Sequence, residues 1–290
     1  LGADRLGVLD GGRPFRVAAL QGNVPQDMKW LPEVREDILQ RYERLTLDAG
    51  GARPSLIVWP ETALPYLLAL NGPIRARVEA LARKTGSQLL VGGVDAELAS
   101  PPRYFNSAFQ VAPDRGIVAK YDKVHLVPFG EYIPLRPLLG LVDKLTQGAV
   151  GDFQAGQDYT VFDLGEARFG VTISYEVYFP GQVRRYIQRG ADFLVNITND
   201  AWYGRTAAPY QHLNMVVFRA VENNAYLVRA ANTGISAVVD PTGRVIAASA
   251  LFEEGILVQT IRTRSADTFY TRYGDVFAWL SLLGAVGSVG

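Results

Sequence analysis

Cysteine is absent from this 290-residue chain, which excludes disulfides and thiolate-held metals. Histidine is almost absent: His125 and His212 are the only two, too few for a histidine-rich metal centre. Neither sign of charge prevails. Lys+Arg and Asp+Glu both number 29, for a formal net charge of zero. A nucleic-acid surface needs a basic excess or stripe, so no nucleic acid is expected as a partner. No internal repeat or low-complexity linker divides the chain, and Leu1 to Arg5 lacks the basic start and apolar core of a signal peptide. The uncharged run at positions 276–290 falls short of the roughly 20 residues that span a bilayer. It reads either as a C-terminal core helix or as the first turns of a membrane helix. The chain stops inside the run, and Tyr273, Phe277 and Trp279 near its start suit a membrane interface.

What is present is ordinary for a folded protein: 48% hydrophobic and 20% charged residues. Apolar runs of strand length occur at Phe15 to Leu20, Ser55 to Trp59, Gln88 to Gly92, Ala108 to Ala112, Ile117 to Tyr121, Phe169 to Ile173 and Phe193 to Ile197. Helical spacing predicts helices at Pro32 to Ala49, Ile74 to Lys84, Gln182 to Gln188 and Ala207 to Asn223. Asp240-Pro241-Thr242-Gly243 is a turn signal, so Ile235 to Val239 and Val245 to Ala248 are expected to form a hairpin. Buried strands alternating with helices predict an α/β layered domain. Pro128 to Gln157 fits no element. Its glycines, prolines and scattered leucines suggest an apolar lid.

Several segments carry groups able to do chemistry. Glu61 follows the apolar run Leu56 to Trp59 and a proline. A carboxylate at the mouth of a buried strand suits a general base, because desolvation raises its pKa; it suits a helix N-terminus equally well. Lys123 lies just past the strand Ile117 to Tyr121, where a lysine either steadies a developing oxyanion or simply caps a surface strand end. His125 reads as a structural histidine. Ser174 follows the buried run Val171 to Ile173 and a sharp polar exit, a place from which a small nucleophile projects beside backbone amides. No Gly-x-Ser-x-Gly elbow surrounds it and neither histidine lies in an obvious partner segment, so a serine–histidine–aspartate hydrolase fits poorly. Asn199, Trp202 and Tyr203 stand where an apolar strand ends, the position at which α/β folds place ligands.

Taken together these segments are far more specific. Gln21-Gly22-Asn23-Val24-Pro25-Gln26, Trp59-Pro60-Glu61-Thr62, Lys123 with Val127-Pro128-Phe129-Gly130-Glu131-Tyr132, Ser174-Tyr175-Glu176, Asn199-Asp200-Ala201-Trp202 and Asn232-Thr233-Gly234 follow one another in a single order. From about Phe15 to Ile261 the chain resembles the catalytic domain of the apolipoprotein N-acyltransferase family, the membrane-anchored branch of the nitrilase superfamily. The resemblance implies a nitrilase-like α-β-β-α sandwich over residues 15–263. Residues 1–14 would link it to a preceding membrane region, and 264–290 would be a linker and the start of a membrane helix. It implies a catalytic domain on the periplasmic side of a bacterial inner membrane, and no cofactor or metal. The implied reaction moves an acyl chain from a phospholipid, phosphatidylethanolamine typically, to the N-terminal amine of a diacylated lipoprotein. Glu61 would be the base, Lys123 the oxyanion stabiliser and position 174 the nucleophile. Glu131 and Glu176 would support the lysine, Tyr175 would shape the turn, and Trp30 would line the lipid entrance.

One departure bears directly on the chemistry: the family's nucleophile is cysteine, and this chain has serine. A hydroxyl ionises far above the roughly 8.5 of a thiol, and an oxygen ester is less reactive than a thioester. An acyl-Ser174 is therefore expected to stall, if it forms. An engineered cysteine-to-serine replacement is the simplest origin; a natural inactive paralogue or a serine acyltransferase also fits. Two rival functions stand beside the acyltransferase, a soluble carbon–nitrogen hydrolase and a non-catalytic lipid- or lipoprotein-binding domain.

Overall fold

Alternate residues of the first strand, β1 (Pro14–Gln21), enter two different cores. Phe15, Val17 and Ala19 point into one, Ala18 and Leu20 into the other. A strand points successive side chains to opposite faces, so where it is buried on both sides, as from Val17 to Leu20, it is apolar in succession. The computed structural model describes residues 12–132 and 153–287. After β1 come α1 (Arg35–Gly50), β2 (Leu56–Val58), β3 (Leu64–Leu67), α2 (Gly72–Thr85), β4 (Gln88–Glu97), β5 (Arg103–Ala112) and β6 (Gly116–Asp122). The second half carries β7 (Val161–Asp163), β8 (Arg168–Ile173), α3 (Pro180–Gln188), β9 (Phe193–Thr198), α4 (Ala208–Asn223), β10 (Leu227–Ala231), β11 (Ala237–Val239), β12 (Val245–Ala248) and β13 (Gly255–Arg262). The helices α5 (Phe269–Tyr273) and α6 (Val276–Gly287) close the described chain.

Two sheets result. One runs β13-β1-β2-β4-β5-β6 with β3 paired to β4, and the other β12-β11-β10-β9-β8-β7. Ile38, Tyr42 and Leu45 of α1 and Val78 and Leu81 of α2 cover the outer face of the first sheet. The other core joins Val17, Val58 and Leu90 of the first sheet to Val171, Val195 and Val228 of the second, and takes in Val183 and Tyr186 of α3 and Val216 and Ala220 of α4. The layers are helix, sheet, sheet, helix, as the resemblance implied. Strands β8, β9 and β10 are parallel, and so are β1, β2 and β4. Their carboxyl ends therefore gather functional loops at one edge of each sheet.

The predicted elements appear with shifted ends. The hairpin β4–β5 pairs continuously from Leu89 with Val111 to Glu97 with Arg103, past the glycines and Asp95 at which apolar periodicity breaks. Strand β11 starts at Ala237, not Ile235. Strands β3, β7, β10 and β13 were not predicted; β7 has three residues, and β10 carries Arg229 at its centre. Of the expected lid, residues 133–152 lie outside the described residues, as do residues 1–11 of the expected linker. Helix α6 exposes Phe277, Trp279, Leu280 and Leu283. Among the described residues no helix is long and apolar enough to cross a membrane.

Candidate active site

Glu61 sits at the end of β2, held from behind. The preceding Trp59 is fully buried, stacked on Tyr42 at 4.9 Å between ring centroids, and donates its indole N–H to Thr46 Oγ1 at 3.0 Å. The turn packs against Gly92 of β4 so closely that a Cβ there would lie 2.0 Å from the Pro60 carbonyl oxygen. Glu61 Oε1 accepts from Asn106 Nδ2 at 2.7 Å and Oε2 from the Asn199 N–H at 2.9 Å. The second bond joins the end of β2 in one sheet to the end of β9 in the other. Burial raises the Glu61 pKa; the Lys123 ammonium pulls it back, and the Glu131 carboxylate pushes it up again. That is the environment of a carboxylate prepared to take a proton.

Lys123 follows β6, and its N–H bonds the Asn106 carbonyl at 2.8 Å. Its side chain is buried, with Nζ 2.9 and 2.8 Å from the two oxygens of Glu131 and 3.6 Å from Glu61 Oε1. Burial works against the ammonium, but the two carboxylates outweigh it and the pKa rises. Glu131 is fixed in turn by Asn106 Nδ2 at 2.9 Å and the Val127 N–H at 2.8 Å. Asn106 thus spends both amide hydrogens on the two glutamates, and its Oδ1 is buried without a partner among the described residues. Glu176 has a different place from Glu131. It accepts from Tyr121 Oη at 2.7 Å and from the N–H groups of Val124, His125 and Ile173 at 2.8, 3.0 and 2.8 Å. It reaches the lysine through the main chain, pinning the segment after β6 to the end of β8.

Ser174 opens the one-turn 3-10 helix Ser174–Tyr178 directly after β8. Its φ of 51° is left-handed, a conformation that side chains with a Cβ rarely adopt. Two side chains meet its carbonyl oxygen: Asn196 Nδ2 at 3.3 Å and His212 Nε2 at 3.2 Å. His212 therefore reaches this turn from within α4, a partnership that is not obvious from the sequence. The imidazole, however, meets the main-chain oxygen, an arrangement unlike that of a catalytic triad. Tyr175 packs its ring on Tyr178 and Phe179.

The remaining expected residues divide. Asn199 is tied inward, to Gln26 at 2.5 Å and Asn232 at 3.0 Å. Trp202 is 72% exposed and Tyr203 45%; burial, then Asp200, raises the Tyr203 pKa, with smaller influences from Glu61 and Lys123. Trp30 is exposed on a cleft of about 610 Å³ that it lines with Arg35, Tyr66, Leu67 and Leu70. Sequence reading missed Asn106 and Lys29. Lys29 is wholly buried and donates to Thr62 Oγ1 at 2.5 Å and the Glu61 carbonyl at 3.3 Å. Burial pulls its pKa down to about 8, against the opposing pull of Glu61. Adjacency to Trp30 in a segment already singled out was the signal that could have found it; an asparagine inside a strand leaves none. Among the described residues no cluster of histidine and carboxylate is placed to hold a metal.

Residues 16–269 match the carbon-nitrogen hydrolase family. The apolipoprotein N-acyltransferase of Geobacter metallireducens is 45% identical over 98% of this chain and 55% of its own length. That of Methylococcus capsulatus is 38% identical over 96% and 54%. The chain thus spans about half the length of the curated relatives it matches. Among solved structures, an amidase from Nesterenkonia sp. superposes with a TM-score of 0.65 at 21% identity, covering 95% of this chain and 98% of that one. Nit3 of Saccharomyces cerevisiae, a member of branch 10 of the nitrilase superfamily, gives 0.65 at 22%, covering 86% and 90%. At such identities the likeness is one of fold.

Proposed function

This chain belongs to the carbon-nitrogen hydrolase family, and on that footing we propose that it is the catalytic domain of an N-acyltransferase that matures lipoproteins. The observation that carries this reading is the buried Glu61–Lys123–Glu131 cluster, spanned by Asn106 and bonded to the end of β9. It combines a carboxylate of raised pKa with a fixed ammonium, beside strand ends that include a strained small nucleophile.

In the first half-reaction the nucleophile at position 174 attacks the ester carbonyl of a phospholipid while Glu61 takes its proton. Lys123 N–H groups face the oxyanion that forms. Collapse expels the lysophospholipid alcohol, which recovers the proton from Glu61. In the second, the N-terminal amine of a diacylated lipoprotein attacks the acyl-enzyme, Glu61 accepts the amine proton, and the nucleophile leaves with that proton. Glu131 keeps Lys123 in place, and Glu176 and Tyr175 fix the backbone on either side of the nucleophile. Trp30, Trp202 and Tyr203 offer exposed aromatic surface to acyl chains, with Asn199 orienting the base. The exposed apolar side chains of α6 suit contact with a bilayer, and on this reading the domain works at the bacterial inner membrane, on its periplasmic face. Serine at position 174 is what disarms the cycle, since neither the alkoxide nor a reactive acyl-enzyme forms readily.

The test is transfer itself. The Ser174→Cys chain, in micelles with phosphatidylethanolamine and a diacylated lipopeptide, should yield N-acylated lipopeptide, and the added variants Glu61→Gln and Lys123→Met should not. Release of free fatty acid with an unmodified lipopeptide would instead make the domain a hydrolase.

A further inference from the structure

Behind the turn that carries Ser174 runs a row of buried groups that the acyl-transfer steps leave unused. It begins at Arg229, wholly buried in β10, whose Nη2 donates to Asp200 Oδ2 at 2.6 Å and whose Nε donates to the Ile235 carbonyl at 3.1 Å. Asp200 Oδ1 accepts from Thr198 Oγ1 at 3.1 Å and stands 3.0 Å from His212 Nδ1. The far side of the imidazole ends the row, Nε2 lying 3.2 Å from the Ser174 carbonyl oxygen.

Counting donors exposes a mismatch. Asp200, whose charge Arg229 and His212 sustain against burial, is held well below the usual carboxylate range and only accepts. A main-chain carbonyl also only accepts. A neutral imidazole has one N–H and satisfies one of these two partners; an imidazolium has two and satisfies both. The single proton of the neutral ring belongs on Nδ1, because an ionised carboxylate is the stronger acceptor. The Ser174 carbonyl is therefore the partner left facing a lone pair, with Asn196 its one side-chain donor. Burial first, and Arg229 next, push the His212 pKa below its ordinary 6.5, while Asp200 holds it up. The charged and titratable groups around the ring are Asp200 from the turn after β9, Arg229 from β10, and Tyr178, whose ring tilts against it at 5.4 Å.

We propose that His212, oriented by Asp200 and Arg229, is a pH-dependent positioning residue: it holds the left-handed turn at position 174 by donating to its main-chain carbonyl when the ring takes a second proton, and releases that hold when the ring is neutral. The catalytic consequence rests on position 174 being the nucleophile; the hydrogen bond itself does not.

Ser174-Tyr175 is the only Ser-Tyr step in the sequence, so the unmodified chain labelled with carbonyl-¹³C serine and ¹⁵N tyrosine gives one resolved carbonyl signal. With two histidines, His125→Asn assigns the rings. The Ser174 carbonyl should shift with the same midpoint as His212, below 6.5, and that titration should vanish in His212→Gln. In the Ser174→Cys chain, below the His212 midpoint, His212→Gln should slow alkylation by iodoacetamide about tenfold at equal thiolate fraction, since a small misplacement of a reacting group is costly. A Ser174 carbonyl that stays flat while His212 titrates overturns the proposal, and needs no variant at position 212 that might fail to fold. So does a folded His212→Gln chain that alkylates like its parent. A thiol at position 174 no more reactive than a free one counts against the nucleophile, and leaves the carbonyl titration to decide the positioning.

Discussion

Lys123 pairs more closely with Glu131 than with Glu61: its Nζ lies 2.8 Å from Glu131 Oε2 and 3.6 Å from Glu61 Oε1. The nearer carboxylate balances the ammonium, and the farther one keeps capacity for a proton. Removing the lysine leaves two carboxylates in a buried cluster. Lys123→Met should lower stability by about 3–5 kcal/mol, the usual effect of breaking one side of a buried ion pair. Urea unfolding near pH 7 measures it, and part of the loss should be regained at lower pH, where a glutamate can be protonated.

The close approach of Gly92 to the Pro60 carbonyl gives an independent handle on Glu61. Gly92→Ala would drive a Cβ to 2.0 Å from that oxygen, so the Trp59–Glu61 turn must move. A loss of about 1–3 kcal/mol is expected from overpacking, visible in a thermal melt. The Asn199 amide, bonded to Glu61 across the two sheets, should exchange faster with solvent.

Lys29 should give the chain an alkaline stability gain. Its folded pKa of about 8 lies below the ordinary 10.5. Between those values the unfolded chain keeps a proton that the folded chain has released, so stability rises with pH across that window. The difference between parent and Lys29→Met should change by roughly 3 kcal/mol from pH 8 to 10.5, at about 1.4 kcal/mol per pH unit. Taking the difference cancels the tyrosines, which titrate in both. A parallel pair of stability curves would contradict it.

Much of this architecture was legible because it is written in apolar runs. Val17, Val58, Val171 and Val195 sit in mostly hydrophobic stretches of strand length, and these become central parallel strands. The strands that escaped notice lack that pattern: β10 buries Arg229 in mid-strand, and β13 is only half-buried along most of its length. At the proposed site, Glu61, Lys123 and Ser174 each stand where an apolar run stops, but each alone has an ordinary structural reading, and the order of the segments together is what singles them out. Asn106 and His212 were not legible, since each lies inside an element and is given its role by a partner far away in sequence. Asn106 meets Glu131 across 25 positions and His212 meets Ser174 across 38, relations that only the folded layers create.

The backbone at position 174 also makes a stability claim. A residue with a Cβ held at positive φ costs about 1–2 kcal/mol, and glycine escapes that cost. Ser174→Gly should therefore be more stable than Ser174→Ala by about 1 kcal/mol, read from paired denaturation curves. Equal stability, or a glycine variant that is weaker, would mean that the turn relaxes to ordinary backbone in solution.

Intact-protein mass spectrometry of this chain and its Ser174→Cys variant, each incubated in mixed micelles with phosphatidylethanolamine and then digested, tests the proposed chemistry most directly. An acyl mass on the cysteine at position 174 is expected, discharged by a lipopeptide amine, with little or none on Ser174. No adduct on either chain, in micelles that keep the protein folded, would contradict covalent acyl transfer by this domain.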